Sequence, residues 1–138
     1  MKSVNEVMTR DVRVASPDES IRDAAAAMAQ ADIGSLPVGE NDRLVGMITD
    51  RDIVLRATAL GLGPETLVRE VMTQDIKFCR DDESVEDVAK QMALLGVRRL
   101  PVIDANKRLV GIVSLSNVSE VGDSVATQTL LRGVATPH

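Results

Sequence analysis

Two short stretches, "DVRVAS" (residues 11–16) and "DIKFCR" (residues 75–80), alternate apolar and polar positions and predict strands with one buried face. Each is followed by a polar turn, "PDES" or "DDES". Ser20 with Asp23, and Ser84 with Asp87, then supply helix-start signals. From there the apolar positions fall at helical spacing. Ile21, Ala24, Ala25, Met28 and Ala29 form one stripe, and Val85, Val88, Ala89, Met92 and Leu95 form its twin, so core-facing helices are expected, the first ending near Ala31. Short apolar strands follow in "IGSLPV" and "VRRLPVI". They lead into the polar turns "GENDR" and "DANKR" and return as "LVGMIT" and "LVGIVS", a hairpin pattern. A second helix is predicted from Thr49 in one case and Ser114 in the other. The predicted order is strand, helix, strand, strand, helix, twice over, with "GLGP" breaking the chain and "ETLVREV" forming a short connecting helix.

The doubling is literal. With Glu6 beside Glu70, "EVMTRDVRVASPDESIRDAAAAMAQADIGSLPV" runs without a gap against "EVMTQDIKFCRDDESVEDVAKQMALLGVRRLPV", and one extra residue before Arg108 brings "RLVGMITDRDI" over "RLVGIVSLSNV". Self-similarity at a spacing of about 64 residues indicates duplicated units, neither of which is expected to bury its apolar face alone. The expected division is a first unit over residues 4–60, a connecting segment over 61–69, a second unit over 70–121 and a tail over 122–138. Within the tail, Leu130 and Leu131 make a short apolar patch suited to a helix on a neighbouring subunit or to a loose end. The only histidine, His138, is the last residue and carries no functional expectation.

Composition narrows the function. At 138 residues the chain is long enough to bury roughly two thirds of its unfolded surface. Its apolar runs are too short for a membrane helix, and "MKSVNEVMTRDVR" lacks a secretory h-region, so a cytoplasmic, non-membrane protein is expected. A net charge of −5 and a single aromatic residue, Phe78, argue against nucleic acid as a partner. The core must then be aliphatic, and any bound purine must lie among aliphatic side chains and backbone. Cys79 has no cysteine partner and is expected as a buried strand thiol. No base and nucleophile pair, metal-ligand cluster or phosphate-binding glycine loop stands out, so catalysis and a metal site are not expected.

The stretch "GMITDRDIV" (residues 46–54) carries the sharpest candidate chemistry. Thr49 with Asp52 satisfies the pattern of a reciprocal helix cap, which needs no ligand. The same pattern at a strand-to-helix junction also suits a sugar phosphate: free N–H groups face the phosphate, and a carboxylate can accept both hydroxyls of a ribose diol. Spacing leaves both readings open.

The doubled "EVMT", "DIGSLPV" with "GMITDRDIV", and "GVRRLPVID" with "GIVSLSNVS" resemble the CBS domain family over residues 4–121. The resemblance implies an α/β (α+β) fold of two tandem CBS units, each β-α-β-β-α, related by pseudo-twofold symmetry with two clefts between them. It also implies a stand-alone regulatory pair with no required cofactor. Its candidate ligands are AMP, ADP, ATP or S-adenosylmethionine, and a homodimer and an unknown regulated protein are its expected partners. Carried over by motif, the first cleft would combine Thr49 and Asp52 with Ile76, Lys77, Val97, Arg98 and Arg99. The second would combine Ser114 and Asn117 with Val12, Arg13, Ile33, Gly34 and Ser35. Arg98 and Arg99 would face a phosphate in the first cleft. In the second, Asn117 stands in place of the acid and Gly34–Ser35 in place of the arginines, so weaker binding or a less charged ligand is expected. The competing expectation is a structural interaction module with vestigial clefts.

Overall fold

The computed structural model describes residues 2–120; the expectations placed on Val121, on the tail, on Leu130, Leu131 and on His138 lie outside the described residues. Two compact units emerge, and their boundaries are offset from the sequence repeat. One is Arg13–Ile76; the other joins residues 2–12 to residues 77–120. Each unit therefore contains the helix and hairpin of one repeat, closed by the leading "EVMT" strap of the other.

In the first-repeat unit, α1 (Ile21–Ala31) begins at Ser20, whose hydroxyl accepts from the Asp23 amide, and ends at Asp32 in the left-handed region. Strands β1 (Ser35–Glu40) and β2 (Arg43–Thr49) pair antiparallel. Asn41 and Asp42, both at positive φ, close the two-residue turn between them. Then follow α2 (Asp50–Arg56), a single 3₁₀ turn (Thr58–Leu60) and α3 (Val68–Val71). In the second-repeat unit a 3₁₀ turn (Val4–Glu6) stands where α3 stands in the other. It is completed by β3 (Cys79–Arg80), α4 (Val85–Leu95), β4 (Arg99–Ile103), β5 (Leu109–Ser114) and α5 (Leu115–Glu120). β4 pairs parallel with β3 and antiparallel with β5.

The predicted strands at 11–16 and 75–80 are much shorter than their patterns suggest. The first survives as one parallel bridge, Ala15 to Val38, and the second as the two residues of β3. The physical reason lies in the facing strand. Ala15 donates to the Pro37 carbonyl and accepts from Gly39, but the next rung towards the N-terminus would need an N–H from Pro37, which has none. Pro101 has the same position in the other unit. The first-repeat sheet is two-stranded rather than three-stranded, the single Ala15–Val38 bridge standing where the other unit has β3.

Both cores are aliphatic, as the composition requires. Ile21, Met28, Leu36, Val38 and Ile48 are buried with Val68, Val71 and Met72 of the strap, and in the other unit Val85, Val88, Met92 and Leu100 are buried with Val4 and Met8. Phe78 is half exposed. Cys79 is buried, and desolvation, reinforced by Glu83 and Asp81, pushes its thiol up to about 12, so it stays protonated near neutrality. Three residues expected in the cores are not there. Leu95 is partly exposed, and Ala25 and Ala29 line an open groove of about 480 Å³ between α1 and α2 with Ile53 and Val54.

The straps are held by backbone. Thr73 and Met47 exchange N–H to O bonds of 2.8 and 3.0 Å, and Thr9 and Ile112 exchange bonds of 2.8 and 2.9 Å. Each crossing passes over a buried glycine. A Cβ on Gly111 would lie 2.6 Å from the Thr9 carbonyl oxygen and 2.9 Å from the Met8 sulfur; on Gly46 it would lie 2.9 Å from both the Thr73 carbonyl and the Met72 sulfur. Gly111→Ala should therefore cost about 3 kcal/mol by forcing the strap backbone away, and Gly46→Ala somewhat less. Urea unfolding of the two variants checks both the sign and the order.

Candidate functional site

The end of β2 and the start of α2 form a reciprocal cap. The Asp52 amide donates to Thr49 Oγ1 at 2.9 Å, and the Thr49 amide donates to Asp52 Oδ2 at 3.1 Å. Two further groups reach the same carboxylate. Thr73 Oγ1, delivered by the strap, lies 3.5 Å from both Asp52 oxygens, and Arg56 Nε, one helical turn on, lies 3.9 Å from Oδ1. Arg56 also donates to the Met72 carbonyl at 3.3 Å, so strap and carboxylate share one cation. Asp52 is partly buried and its orientation is fixed from several directions.

Ser114 and Asn117 repeat this arrangement with a different outcome. Asn117 Oδ1 accepts from the Ser114 amide at 2.8 Å and from the Ser114 hydroxyl at 2.9 Å. Asn117 Nδ2 donates to Thr9 Oγ1 at 3.4 Å. At 8 % exposure Asn117 is the buried polar residue of its unit among the described residues, and both ends of its amide are engaged.

The segments before "LPV" lie beside these caps. Ser35 is opposite Thr49 in the β1–β2 ladder, and the Asp50 amide donates to the Gly34 carbonyl at 2.9 Å. In the other unit Arg99 is opposite Ser114, and the Leu115 amide donates to the Arg98 carbonyl at 2.9 Å. Within a unit, then, the structure groups residues expected in different clefts: Thr49 and Asp52 with Ile33, Gly34 and Ser35, and Ser114 and Asn117 with Val97, Arg98 and Arg99. Ile33 and Val97 pack partly against their own cores. Val12 and Ile76 are half-buried at the unit boundaries.

The basic residues differ in commitment. Arg13 Nη2 pairs with Glu19 at 2.9 Å. Lys77, Arg98 and Arg99 are exposed and make no side-chain hydrogen bond or ion pair among the described residues. Sequence reasoning assigned no role to Thr9, Thr73, Arg56 or Asp50. The two threonines were visible as the last letter of the repeated "EVMT", but nothing in the chain order says that each reaches the other repeat's cap.

A family model for the CBS domain matches residues 4–58 and 68–123, most of the chain. The chain belongs to the CBS domain family. Among curated CBS relatives it is 44 % identical to the CBS domain-containing protein YhcV of Bacillus subtilis, over 86 % of this chain and 84 % of YhcV. It is 34 % identical to Hypoxic response protein 1 of Mycobacterium tuberculosis, over 99 % and 96 %. A solved structure of Hypoxic Response Protein I with two coordinated zinc ions aligns at TM-score 0.77 and 36 % identity, covering 86 % of this chain and 98 % of that one. CBSX2 in complex with AMP aligns at TM-score 0.78 and 28 % identity, over 88 % and 96 %. The CBS domain pair of MJ0100, in complex with 5′-methylthioadenosine and S-adenosylmethionine, aligns at 0.72 and 29 %, over 88 % and 96 %. Among the described residues of the present chain no three His, Cys, Asp or Glu side chains converge on a metal-sized site, and no helix is long and apolar enough to cross a membrane.

The two caps should respond differently to truncation. Asn117→Ala removes a buried, fully engaged amide and should cost about 2 kcal/mol. Asp52→Ala removes a partly exposed capping acid and should cost about 1 kcal/mol. Chemical denaturation monitored by circular dichroism checks the order.

Proposed function

We propose that this CBS pair is a regulatory module that binds an adenosine-containing ligand, with Asp52 and Thr49 on the ribose side and Lys77, Arg98 and Arg99 on the phosphate side. CBSX2 with AMP and the MJ0100 pair with adenosine derivatives supply the ligand class. The observation that carries the reading for this chain is the uneven commitment of its charges. Asp52 is presented by a rigid cap while Lys77, Arg98 and Arg99 have no side-chain partner among the described residues, whereas Arg13 is held by Glu19 and Asn117 is buried. Charge-assisted contacts to phosphate are strong and need cations that are not already paired. The site using Ser114, Asn117, Val12, Arg13, Ile33, Gly34 and Ser35 is the weaker one for a nucleotide.

Ligand binding acts by changing the balance between arrangements of the chain or its oligomers, which requires different affinities for the two states. A homodimer and a regulated partner protein fit that role, and no catalytic step is assigned. The second reading, an interaction module without a ligand, draws on the completeness of the Thr49–Asp52 cap, which is satisfied on its own.

Thermal unfolding followed by circular dichroism separates the two, fluorescence being a poor probe in a chain without Trp or Tyr. AMP, ADP, ATP or S-adenosylmethionine at about 100 times its dissociation constant should add about 2.7 kcal/mol and raise the midpoint by several degrees. Asp52→Ala should abolish the shift produced by the phosphate-bearing ligands AMP, ADP and ATP. No shift with any of the four would favour the interaction module.

A further inference from the structure

We infer that Asp50 is a specificity-determining residue: it turns the Gly34–Ser35 half-site against phosphate and towards an uncharged or cationic nucleoside. This rests on the reading above, in which the segment before "LPV" meets the part of the ligand beyond the ribose.

The two repeats share a backbone here and differ in charge. The Asp50 amide donates to the Gly34 carbonyl and the Leu115 amide to the Arg98 carbonyl, both at 2.9 Å, so Gly34 corresponds to Arg98 and Asp50 to Leu115. In the first-repeat unit the Asp50 carboxylate lies across the glycine: a Cβ there would meet Oδ2 at 3.0 Å and Oδ1 at 3.4 Å. The place from which Arg98 projects a cation in one repeat is occupied by a carboxylate in the other. Asp32, the left-handed residue ending α1, lines the same groove as Gly34 and Asp50, and its counterpart is Gly96. With Ser35 in the place of Arg99, the local formal charge is thus two negative charges, Asp32 and Asp50, against two positive, Arg98 and Arg99.

Arg13 is tied to Glu19, and Arg51 meets Asp50 Oδ1 through its backbone amide at 2.8 Å. A phosphate drawn to Gly34–Ser35 would face fixed like charge, whereas adenosine, its thioether or its sulfonium would not. For unit charges roughly 7 Å apart near a surface, that repulsion corresponds to about fivefold in affinity, shrinking with added salt.

The test is calorimetric titration with ATP and 5′-methylthioadenosine as probes, on wild type and Asp50→Asn, which keeps an acceptor for the Arg51 amide. Wild type should bind 5′-methylthioadenosine at two sites per chain and ATP at one. Asp50→Asn should gain the second ATP site, or tighten it about fivefold in low salt, with 5′-methylthioadenosine unchanged. The double variant Gly34→Arg/Asp50→Leu, which copies the other repeat, should do so more strongly. If 5′-methylthioadenosine binds but neither variant alters ATP stoichiometry or affinity, the role of Asp50 is overturned while the nucleotide reading stands. If neither probe binds wild type, both fall.

Discussion

The rest of the structure depends on the crossing of a strap over a glycine. Residues 2–9 lie on the second repeat and residues 66–73 on the first, and each strap meets a strand at a point where no side chain intervenes. Strap backbone bonds to β2 or β5 at that point, and strap side chains complete the aliphatic core: Val4 and Met8 in one unit, Val68, Val71 and Met72 in the other. In a chain with one aromatic residue, burial must come from many small apolar contacts, and removing the strap would open each core along its length. The same crossing carries Thr73 to Asp52 and Thr9 to Asn117, so closure of the fold and organisation of the caps are one event.

Seen this way, capping and ligand binding are not rivals. A carboxylate that caps α2, accepts from Thr49 and is flanked by Thr73 and Arg56 has lost most of its rotamer freedom before any ligand arrives, which lowers the ordering cost of binding. Each repeat carries one such cap, and the two differ in outcome. Asn117 went inside and satisfied itself; Asp52 remained partly exposed and charged. Among the described residues Lys77, Arg98 and Arg99 have no side-chain partner, Arg13 is committed to Glu19, and positions 34 and 35 carry no cation.

Much of the fold was legible because it is local. Helix stripes, Ser20 and Ser84 caps, and the Asn41–Asp42 turn are written in residues a few positions apart. The strands at 11–16 and 75–80 misled because their partner's proline withholds an N–H, a defect carried by a residue more than twenty positions away. The exchange of straps was illegible for a similar reason: "EVMT" reads as the beginning of its own repeat, while its hydrogen bonds go to the other. At the candidate site, Thr49, Asp52, Ser114 and Asn117 were found by spacing, but the carboxylate over Gly34 could be seen only once β1 and α2 had been brought together.

The central claim is that phosphate recognition belongs to the second repeat's free cations. Its most direct test is calorimetric titration of AMP and adenosine into wild type, Arg98→Ala/Arg99→Ala and Arg13→Ala. The account predicts that the double variant weakens AMP tenfold or more, leaves adenosine nearly unchanged, and that Arg13→Ala does little. Unchanged AMP affinity in the double variant, or a loss caused by Arg13→Ala instead, would contradict it.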